Sequence, residues 1–383
     1  MSATKNAFDL LKEMKGVTSA QVSQHIKAVA QVRTQIATRT ALPADPSLLG
    51  MEDTDEYIGS MTLKIPGTAR TVNVQNLVAF AKAGLNMHFH GKKGSGKSRM
   101  IREIVKALNK PTITENLSIF EENKRRVVKD GDKAALEPYT RLPYQPYTYG
   151  CHEETVADDI LITPDIEYDA NGNRKTVTRP GAMLSAWSKE LGGGVCILEE
   201  LDAVMPGRMI AAHALLDGQV KVWKSFVMGE HTYTKYENFV CFASSNTRGA
   251  GENARTYAGT QIQNAALMSR FALSFEVDYL DYQTEKAFLA KRVTKTGMVD
   301  KMLEVANKIR TSPSIEDGVS LRDLRNWADA ADVWMKDTGI DPKVIGLPAL
   351  WVDVYHPVAV TTFVTRCADQ ATRDAMMQFL TLV

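Results

Sequence analysis

The chain has 383 residues, of which 44% are hydrophobic and 24% are charged, values typical of folded globular proteins and not of disordered, collagen-like or coiled-coil chains. Its 46 Lys and Arg residues nearly balance its 45 Asp and Glu residues, which argues against a protein that coats nucleic acid through its overall charge. This length predicts two or three domains, each large enough to bury a core without disulfides.

Neither a membrane span nor an export signal is expected, so the predicted location is cytoplasmic. No apolar run approaches the roughly 18 residues of a transmembrane helix, and the start, MSATKNAFDLLKEMKG, is charged and amphipathic, unlike a signal peptide. The four cysteines are widely spaced and are interpreted as buried thiols, not as a disulfide framework or a zinc site: Cys151, Cys196, Cys241 and Cys367.

Hydrophobic patterning divides the chain into three predicted regions. Residues 1–55 carry a helical apolar stripe followed by a linker rich in Pro, Gly and acidic residues. In residues 56–280, short apolar runs alternate with amphipathic helical patterns, which predicts an α/β core with a parallel sheet flanked by helices. Residues 281–383 are mostly helical in pattern and are predicted to form a separate C-terminal region.

The strongest motif is a phosphate-binding loop (P-loop) between residues 85 and 98. Leu85, Met87 and Phe89 alternate with polar residues, which predicts a strand, and an amphipathic helix ending before Pro111 is predicted after the loop. Between them the sequence fits G-x-x-x-x-G-K-[ST] at every fixed position, with the residues Gly91, Lys92, Lys93, Gly94, Ser95, Gly96, Lys97 and Ser98. A chance match in a surface turn is the alternative, and the flanking strand and helix argue against it.

This loop predicts the binding of ATP and Mg²⁺. Glycines let backbone N–H groups turn toward the phosphates at a helix N-terminus, Lys97 reaches the β and γ oxygens, and the Ser98 hydroxyl is expected to ligate Mg²⁺. His88 and His90, on one face of the preceding strand, are interpreted as packed strand histidines because no third metal ligand is near them in the sequence.

Two later apolar runs end in polar residues that suit ATP hydrolysis. Residues 195–198 precede Glu199, which is expected to bind the Mg²⁺ shell, and Glu200, which is expected to orient or deprotonate the attacking water. Residues 239–243 are followed closely by Asn246, a candidate γ-phosphate sensor. The alternatives are a charged helix start for the acidic pair and an ordinary turn residue for Asn246.

Together these motifs resemble those of the AAA+ ATPases, specifically the MoxR-like branch with the ATPase subunits of cobaltochelatases. The matching segments occur in family order between about residues 58 and 331: GKKGSGKS, CILEELDAVMPG, FASSNTRGAGE, YAGTQIQNAALMSRF and SLRDLRNWADAA. The resemblance implies a P-loop core with a parallel sheet, a β-hairpin insertion and a helical lid, which with a C-terminal extension would make up residues 281–383. It also implies ATP hydrolysis with Mg²⁺.

The resemblance further implies roles for three residues. Asn246 would be sensor 1, Arg270 the arginine finger that reaches the nucleotide of a neighbouring subunit, and Arg322 sensor 2 in the lid, with Arg325 as a competing lid candidate. A guanidinium near the γ-phosphate neutralises the charge that develops in phosphoryl transfer. An ordinary surface salt bridge is the alternative for Arg270.

Two segments between the P-loop and the acidic strand are candidates for partner contact. The Asn171-Gly172 turn, flanked by strand-like residues, predicts the inserted β-hairpin, which we expect to contact a client. Upstream, basic residues are followed by tyrosines. This pattern suits a nucleic-acid or substrate loop or, as we favour over nucleic-acid contact, an ordinary long surface loop: Lys124, Arg125, Arg126, Lys129, Tyr139, Tyr144, Tyr147 and Tyr149.

The leading functional hypothesis is a homo-oligomeric ring, hexameric by the family resemblance, that uses ATP hydrolysis to remodel or activate a protein. Its partner would be a protein client or a von Willebrand factor A-domain protein. The alternatives are the ATPase subunit of a metal chelatase, which drives cobalt insertion into a tetrapyrrole, and a nucleic-acid motor. The balanced net charge argues against the last.

Overall fold

The computed structural model describes residues 62–65, 68–130, 139–168, 172–226, 230–249, 260–315, 318–367 and 369–382, and for residues 124–130 it describes the backbone alone. The predicted N-terminal helix and linker lie outside the described residues. The chain divides into two compact units, residues 1–53 with 111–141, and residues 54–110 with 142–383. In the first unit, the Asn116 side chain bonds to both backbone polar groups of Thr140, at 2.8 Å each.

The strands of the described residues are short, as is usual in α/β proteins. In chain order they are β1 (Thr62–Lys64), β2 (Thr71–Asn73), β3 (Met87–His90), β4 (Pro146–Gly150), β5 (Ile162–Tyr168), β6 (Arg174–Pro180), β7 (Val195–Glu199), β8 (Val222–Ser225), β9 (His231–Thr234), β10 (Val240–Ser245) and β11 (Leu273–Glu276).

The helices lie between the strands and, after β11, follow one another without further strands in the described chain. They are α1 (Val74–Lys82), α2 (Lys97–Asp130), α3 (Ala157–Leu161), α4 (Ala182–Trp187), α5 (His213–Leu216), α6 (Ala265–Met268), α7 (Tyr282–Ala290), α8 (Thr296–Thr311), α9 (Leu321–Thr338), α10 (Leu347–Leu350), α11 (His356–Ala359) and α12 (Gln370–Thr381). Two π-helical segments, Trp351–Tyr355 and Val360–Val364, make residues 347–364 one continuous helix.

No described helix has the length and apolarity needed to cross a membrane.

The central sheet has five parallel strands in the order β11-β3-β10-β7-β4, which confirms the predicted α/β core. Because the strands are parallel, their carboxyl ends meet at one edge. The P-loop follows β3 at this edge, Glu200 follows β7 and Asn246 follows β10. All four residues of β3 are buried, including the two histidines, although their alternation with apolar residues suggested a strand with one polar face. A central parallel strand is covered on both faces, so its polar side chains must find partners inside.

The helix after the P-loop does not end before Pro111, so that prediction was wrong. α2 continues through the proline to Asp130, which places the basic residues 124–129 on a helix instead of a loop, and Tyr147 and Tyr149 lie in β4. A proline inside a helix costs about 3 kcal/mol because it lacks a donor and clashes with the preceding turn. Buried Asn109 fixes the helix beside this point, since its side chain bonds both backbone polar groups of Tyr144, at 2.9 and 3.0 Å.

The predicted hairpin insertion is present and has longer arms than expected. β5 and β6 pair in antiparallel register from Ile162 opposite Pro180 to Tyr168 opposite Arg174. Its tip, residues 169–171, lies outside the described residues. The two strands form a sheet of their own and do not extend the central sheet.

The helices after β11 share a hydrophobic core of their own, centred on Trp327. Its indole N–H donates to the Tyr355 carbonyl at 2.8 Å. The Phe363 ring packs edge-on against the Trp327 ring, with 5.4 Å between the ring centroids. A buried ion pair braces these helices, since the Arg310 guanidinium donates to both carboxylate oxygens of Glu285 at 2.7 and 2.9 Å. This C-terminal core follows the region that the sequence marks as helical, and its role as a lid stays a prediction.

Candidate nucleotide-binding site

The P-loop is packed so closely that two of its positions require glycine. Gly91 has a φ of +147° and touches the carbonyl of Val277, in the segment after β11, closely enough to leave no room for a Cβ. Gly94 has a φ of +73°, and a Cβ placed there would lie 2.5 Å from the Oγ of Ser320. Since Ser320 is the N-cap of α9, the loop sits directly against the start of that helix.

Lys97 begins α2, and its ammonium group lies inside the loop. Its Nζ donates to the carbonyl oxygens of Gly91 at 2.6 Å and Lys92 at 2.9 Å, and to Asn246 Oδ1 at 3.0 Å. The third bond joins the P-loop to the end of β10, which lies 149 residues further along the chain. The structure therefore brings together the predicted phosphate-binding lysine and the predicted γ-phosphate sensor.

The electrostatic surroundings of Lys97 identify its other charged neighbours. Burial lowers the pKa of Lys97 to about 8, the negative charges of Asp202 and Glu200 act in the opposite direction, and the positive charge of Arg322 lowers it further. Two cations and two carboxylates thus share one site at the carboxyl edge of the sheet. Such a mixture of charges suits a polyphosphate that binds as a complex with a divalent cation.

The acidic pair leaves β7 in an unusual backbone conformation. Glu199 is the last residue of the strand and is half-buried, whereas Glu200 is exposed and has a φ of +57°. Glu200 is the one residue other than glycine with a positive φ in the described part of the chain. A left-handed conformation costs a residue with a Cβ roughly 1 kcal/mol or more, and such strain tends to be kept where function needs it.

Asp202 is a site residue that the sequence analysis did not select. It is 1% exposed and lies in the short 3₁₀ turn after Glu200. Its Oδ2 accepts hydrogen bonds from Asn246 N and Thr247 N, both at 2.9 Å, and from Thr247 Oγ1 at 3.1 Å. The available signal was a third acidic residue two positions after Glu200, but only the fold shows that this one is buried.

Arg270 lies at the opposite edge of the sheet from the P-loop. Its carbonyl accepts a hydrogen bond from Asn86 Nδ2 at 3.2 Å, just before β3, and the strand spans roughly 16 Å from Asn86 to Gly91 at about 3.3 Å per residue. The guanidinium donates to the carbonyl oxygens of His213, at 3.2 Å, and Ala266. Arg270 therefore does not join the P-loop of its own chain. Residues 250–259, which hold part of the YAGTQ motif, lie outside the described residues.

The two lid arginines differ in their surroundings. Arg322, in the first turn of α9, is near enough to Lys97 to affect its pKa. Arg325, one turn later, lies 3.6 Å from Asp329 on the same helix. Which of the two arginines approaches a nucleotide stays a prediction.

His88 is a packed strand histidine with a specific hydrogen-bond pattern. Its Nε2 lies 2.6 Å from Ser245 Oγ and its Nδ1 lies 3.1 Å from Ser274 Oγ. Since the Ser245 hydroxyl donates to the Thr247 carbonyl at 2.5 Å, it must accept from His88 Nε2–H, which leaves Nδ1 as an acceptor. Burial, reinforced by nearby His90, lowers the pKa of His88 to about 3, so the ring is neutral.

Comparison with known proteins finds a distant sequence relative. The aerobic cobaltochelatase subunit CobS of a Sinorhizobium species is 23% identical to the chain over 255 residues, which cover 64% of this chain and 64% of that protein. The chain therefore matches somewhat less than two thirds of the length of this curated relative. The chain is thus similar in sequence to a cobaltochelatase subunit. No family model matches it.

A solved structure resembles this chain more distantly. A crystal structure of a candidate ATPase from Cytophaga hutchinsonii covers 76% of this chain and 87% of its own, with 14% sequence identity and a TM-score of 0.34.

The P-loop has groups that fit a nucleotide with Mg²⁺. Ser95 is 3% exposed and its buried hydroxyl has no hydrogen-bond partner among the described residues, so a polar atom inside the loop is available to a phosphate. Ser98 and Glu199 stay the predicted Mg²⁺ ligands. The described residues contain no cluster of three His, Cys, Asp or Glu side chains suited to a metal.

Proposed function

We propose that this chain is an ATP hydrolase that acts in an oligomeric ring to remodel or activate a protein partner. The observation that carries the proposal is the position of the Lys97 ammonium, 3.0 Å from Asn246 Oδ1 and within electrostatic reach of Glu200 and Arg322. A phosphate-binding cation, a candidate base and two candidate sensors thus surround one point at the carboxyl edge of a parallel sheet, where such folds bind nucleotides.

Each of these groups has a distinct part in the proposed reaction. Lys97 leaves its carbonyl partners to bind the β and γ oxygens, and Asn246 then faces the γ-phosphate and the attacking water. Glu200 orients or deprotonates that water. Mg²⁺, when held by Ser98 and Glu199, neutralises charge on the phosphates.

Two substitutions test the hydrolase. Lys97→Ala should lose MgADP binding in calorimetry, because the cation at the phosphates is removed, whereas Lys221→Ala, at a lysine bonded to the Gly218 carbonyl in a remote turn, should not. Glu200→Gln should bind nucleotide normally and lose at least about 100-fold in turnover, since an amide cannot act as a base. Hydrolysis at the parental rate by the Gln variant would exclude Glu200 as the catalytic base.

The ring is supported by the position of Arg270 at the far edge of the sheet, where it can serve a nucleotide only on another subunit. A hexamer is the expected state. Mixing Arg270→Ala subunits with Lys97→Ala subunits should restore part of the hydrolysis, because some interfaces then join an intact finger to an intact loop. A protein that stays monomeric in light scattering with MgATP, yet hydrolyses at full rate, would exclude the ring.

The β5–β6 hairpin is the proposed contact with the protein partner. It stands apart from the central sheet, and its side chains Ile166 and Tyr168 are exposed. Replacing residues 169–174 with a two-residue Asn-Gly turn should preserve basal hydrolysis and assembly while abolishing stimulation by the partner. Unchanged stimulation would assign the hairpin a purely structural part.

A chelatase subunit is the second candidate, favoured by the sequence similarity to CobS. In this case the partner would be a larger subunit that binds the metal and the tetrapyrrole. Affinity capture with Glu200→Gln, which should hold ATP and its partner, separates the candidates. A chelatase subunit in the captured material supports metal insertion, and a von Willebrand factor A-domain protein or another client supports general remodelling.

A further inference from the structure

The turn that carries Asn246 is held by an acidic residue with no assigned role. Asp202 is buried, and its Oδ2 alone accepts from Asn246 N, Thr247 N and Thr247 Oγ1 at 2.9 to 3.1 Å. Two of these donors are backbone groups of the turn itself. A charged acceptor makes such bonds shorter and roughly twice as strong as a neutral one.

The opposite side of the same turn is also anchored. The Ser245 hydroxyl donates to the Thr247 carbonyl and accepts from His88 Nε2 in β3. The turn is therefore bonded on one side to the acidic strand end, through Asp202, and on the other side to the strand that leads into the P-loop. Its backbone has little freedom to move independently of either element.

Asn246 depends on this support because its side chain is short. A displaced backbone would carry Asn246 Oδ1 away from Lys97 Nζ, now 3.0 Å away. A misplacement of about 1 Å can cost on the order of 100-fold in rate when reacting groups must be aligned.

We propose that Asp202 is a positioning residue, which ties the end of β7 to the turn after β10 and thereby fixes Asn246 relative to Lys97 and Glu200. This inference rests on the proposed hydrolase, whose reaction it refines. Asp202 touches no phosphate in this scheme and acts through the backbone of Asn246 and Thr247.

The test compares two substitutions of the full-length protein. Asp202→Asn keeps an uncharged oxygen whose two lone pairs can still accept from the two backbone N–H groups, whereas Asp202→Ala removes every acceptor and leaves both N–H groups unpaired. Asp202→Ala should lower kcat at least about 30-fold. Its KM for ATP and its affinity for MgADP should both stay within about 3-fold of the parental values. Asp202→Asn should stay within about 5-fold of the parent. The matched control is Asp217→Ala, since Asp217 also accepts from a backbone N–H, that of Gln219 at 2.9 Å, and it should keep parental kcat.

A second measurement does not depend on hydrolysis. Hydrogen exchange of the peptide with residues 246 and 247 should accelerate at least about 10-fold in Asp202→Ala and little in Asp202→Asn. If the Ala variant does not fold, Thr247→Val removes one of the three bonds and should lower kcat about 3- to 10-fold. Parental kcat and exchange in the Ala variant would overturn the inference, and so would an Asn variant as inactive as Ala. A parent protein without Mg²⁺-dependent hydrolysis would instead overturn the proposed function, and exchange would still decide whether Asp202 holds the turn.

Discussion

The contact between the P-loop and the start of α9 makes a sharp prediction for Gly94→Ala. Gly94 and Gly84 both have a φ of +73°, but a Cβ at Gly84 would meet nothing within 4 Å, whereas a Cβ at Gly94 would lie 2.5 Å from Ser320 Oγ. Gly84→Ala is therefore a matched control. It has the same backbone conformation without the steric clash.

The expected magnitudes follow from this geometry. An alanine in the left-handed region costs about 1 to 2 kcal/mol at either position. At Gly94 the nearest atoms must also move by about 1 Å to reach ordinary carbon contact distances near 3.5 Å, and forced overpacking of this kind typically costs about 1 to 3 kcal/mol more. The free energy of unfolding should thus fall by about 1 to 3 kcal/mol more for Gly94→Ala than for Gly84→Ala.

Urea unfolding and MgADP calorimetry measure both consequences. If the P-loop moves, its N–H groups no longer reach the phosphates. MgADP affinity should then fall at least about 10-fold, or about 1.4 kcal/mol, in Gly94→Ala but not in Gly84→Ala. Ser320→Gly removes the opposing Cβ and Oγ while keeping an acceptable N-cap residue, so the double variant should recover most of the difference. Equal stability and affinity in the two alanine variants, or no rescue by Ser320→Gly, would refute the packing argument.

Three further predictions concern buried or strained residues. The pKa of His88 is about 3 in the folded protein and 6.5 in the unfolded chain, so the unfolded chain binds a proton that the folded protein does not. The free energy of unfolding should therefore fall as pH drops below 6.5, by about 2 kcal/mol at pH 5. Urea unfolding of His88→Gln should lack this loss, and an equal loss would contradict the neutral, buried state of His88. Glu200→Asn should raise the free energy of unfolding by about 0.5 to 1 kcal/mol, because Asn tolerates a positive φ. The same variant should lose turnover. A lower stability than that of the parent would argue against backbone strain at Glu200. Glu285→Ala should lower the free energy of unfolding by about 3 kcal/mol, because the side chain of Arg310, which is 11% exposed, loses its carboxylate partner. The control, Glu230→Ala, breaks the exposed pair with Lys224 and should cost under about 1 kcal/mol. Equal costs for the two variants would refute the reasoning.

The sequence by itself determined the features that depend on neighbouring residues. The P-loop is specified by fixed spacings within eight positions, and the strands before it, at β7 and at β10 follow from continuous or alternating apolar runs. The hairpin arms around Asn171-Gly172 followed from turn chemistry in the same way. Such patterns are local, so they can be recognised without knowledge of the fold.

Only the tertiary structure decided which distant residues meet. The strand order places β10 between β3 and β7, so Lys97 and Asn246 come into contact, Asp202 is buried beneath the turn after β10, and Arg270 lies at the other edge. The continuation of α2 through Pro111 was likewise visible only in the structure, because a proline by itself predicts a helix end. Spacing along the chain carries no information on strand order, because the hydrogen bonds and buried surface that fix it join segments roughly 50 to 180 residues apart.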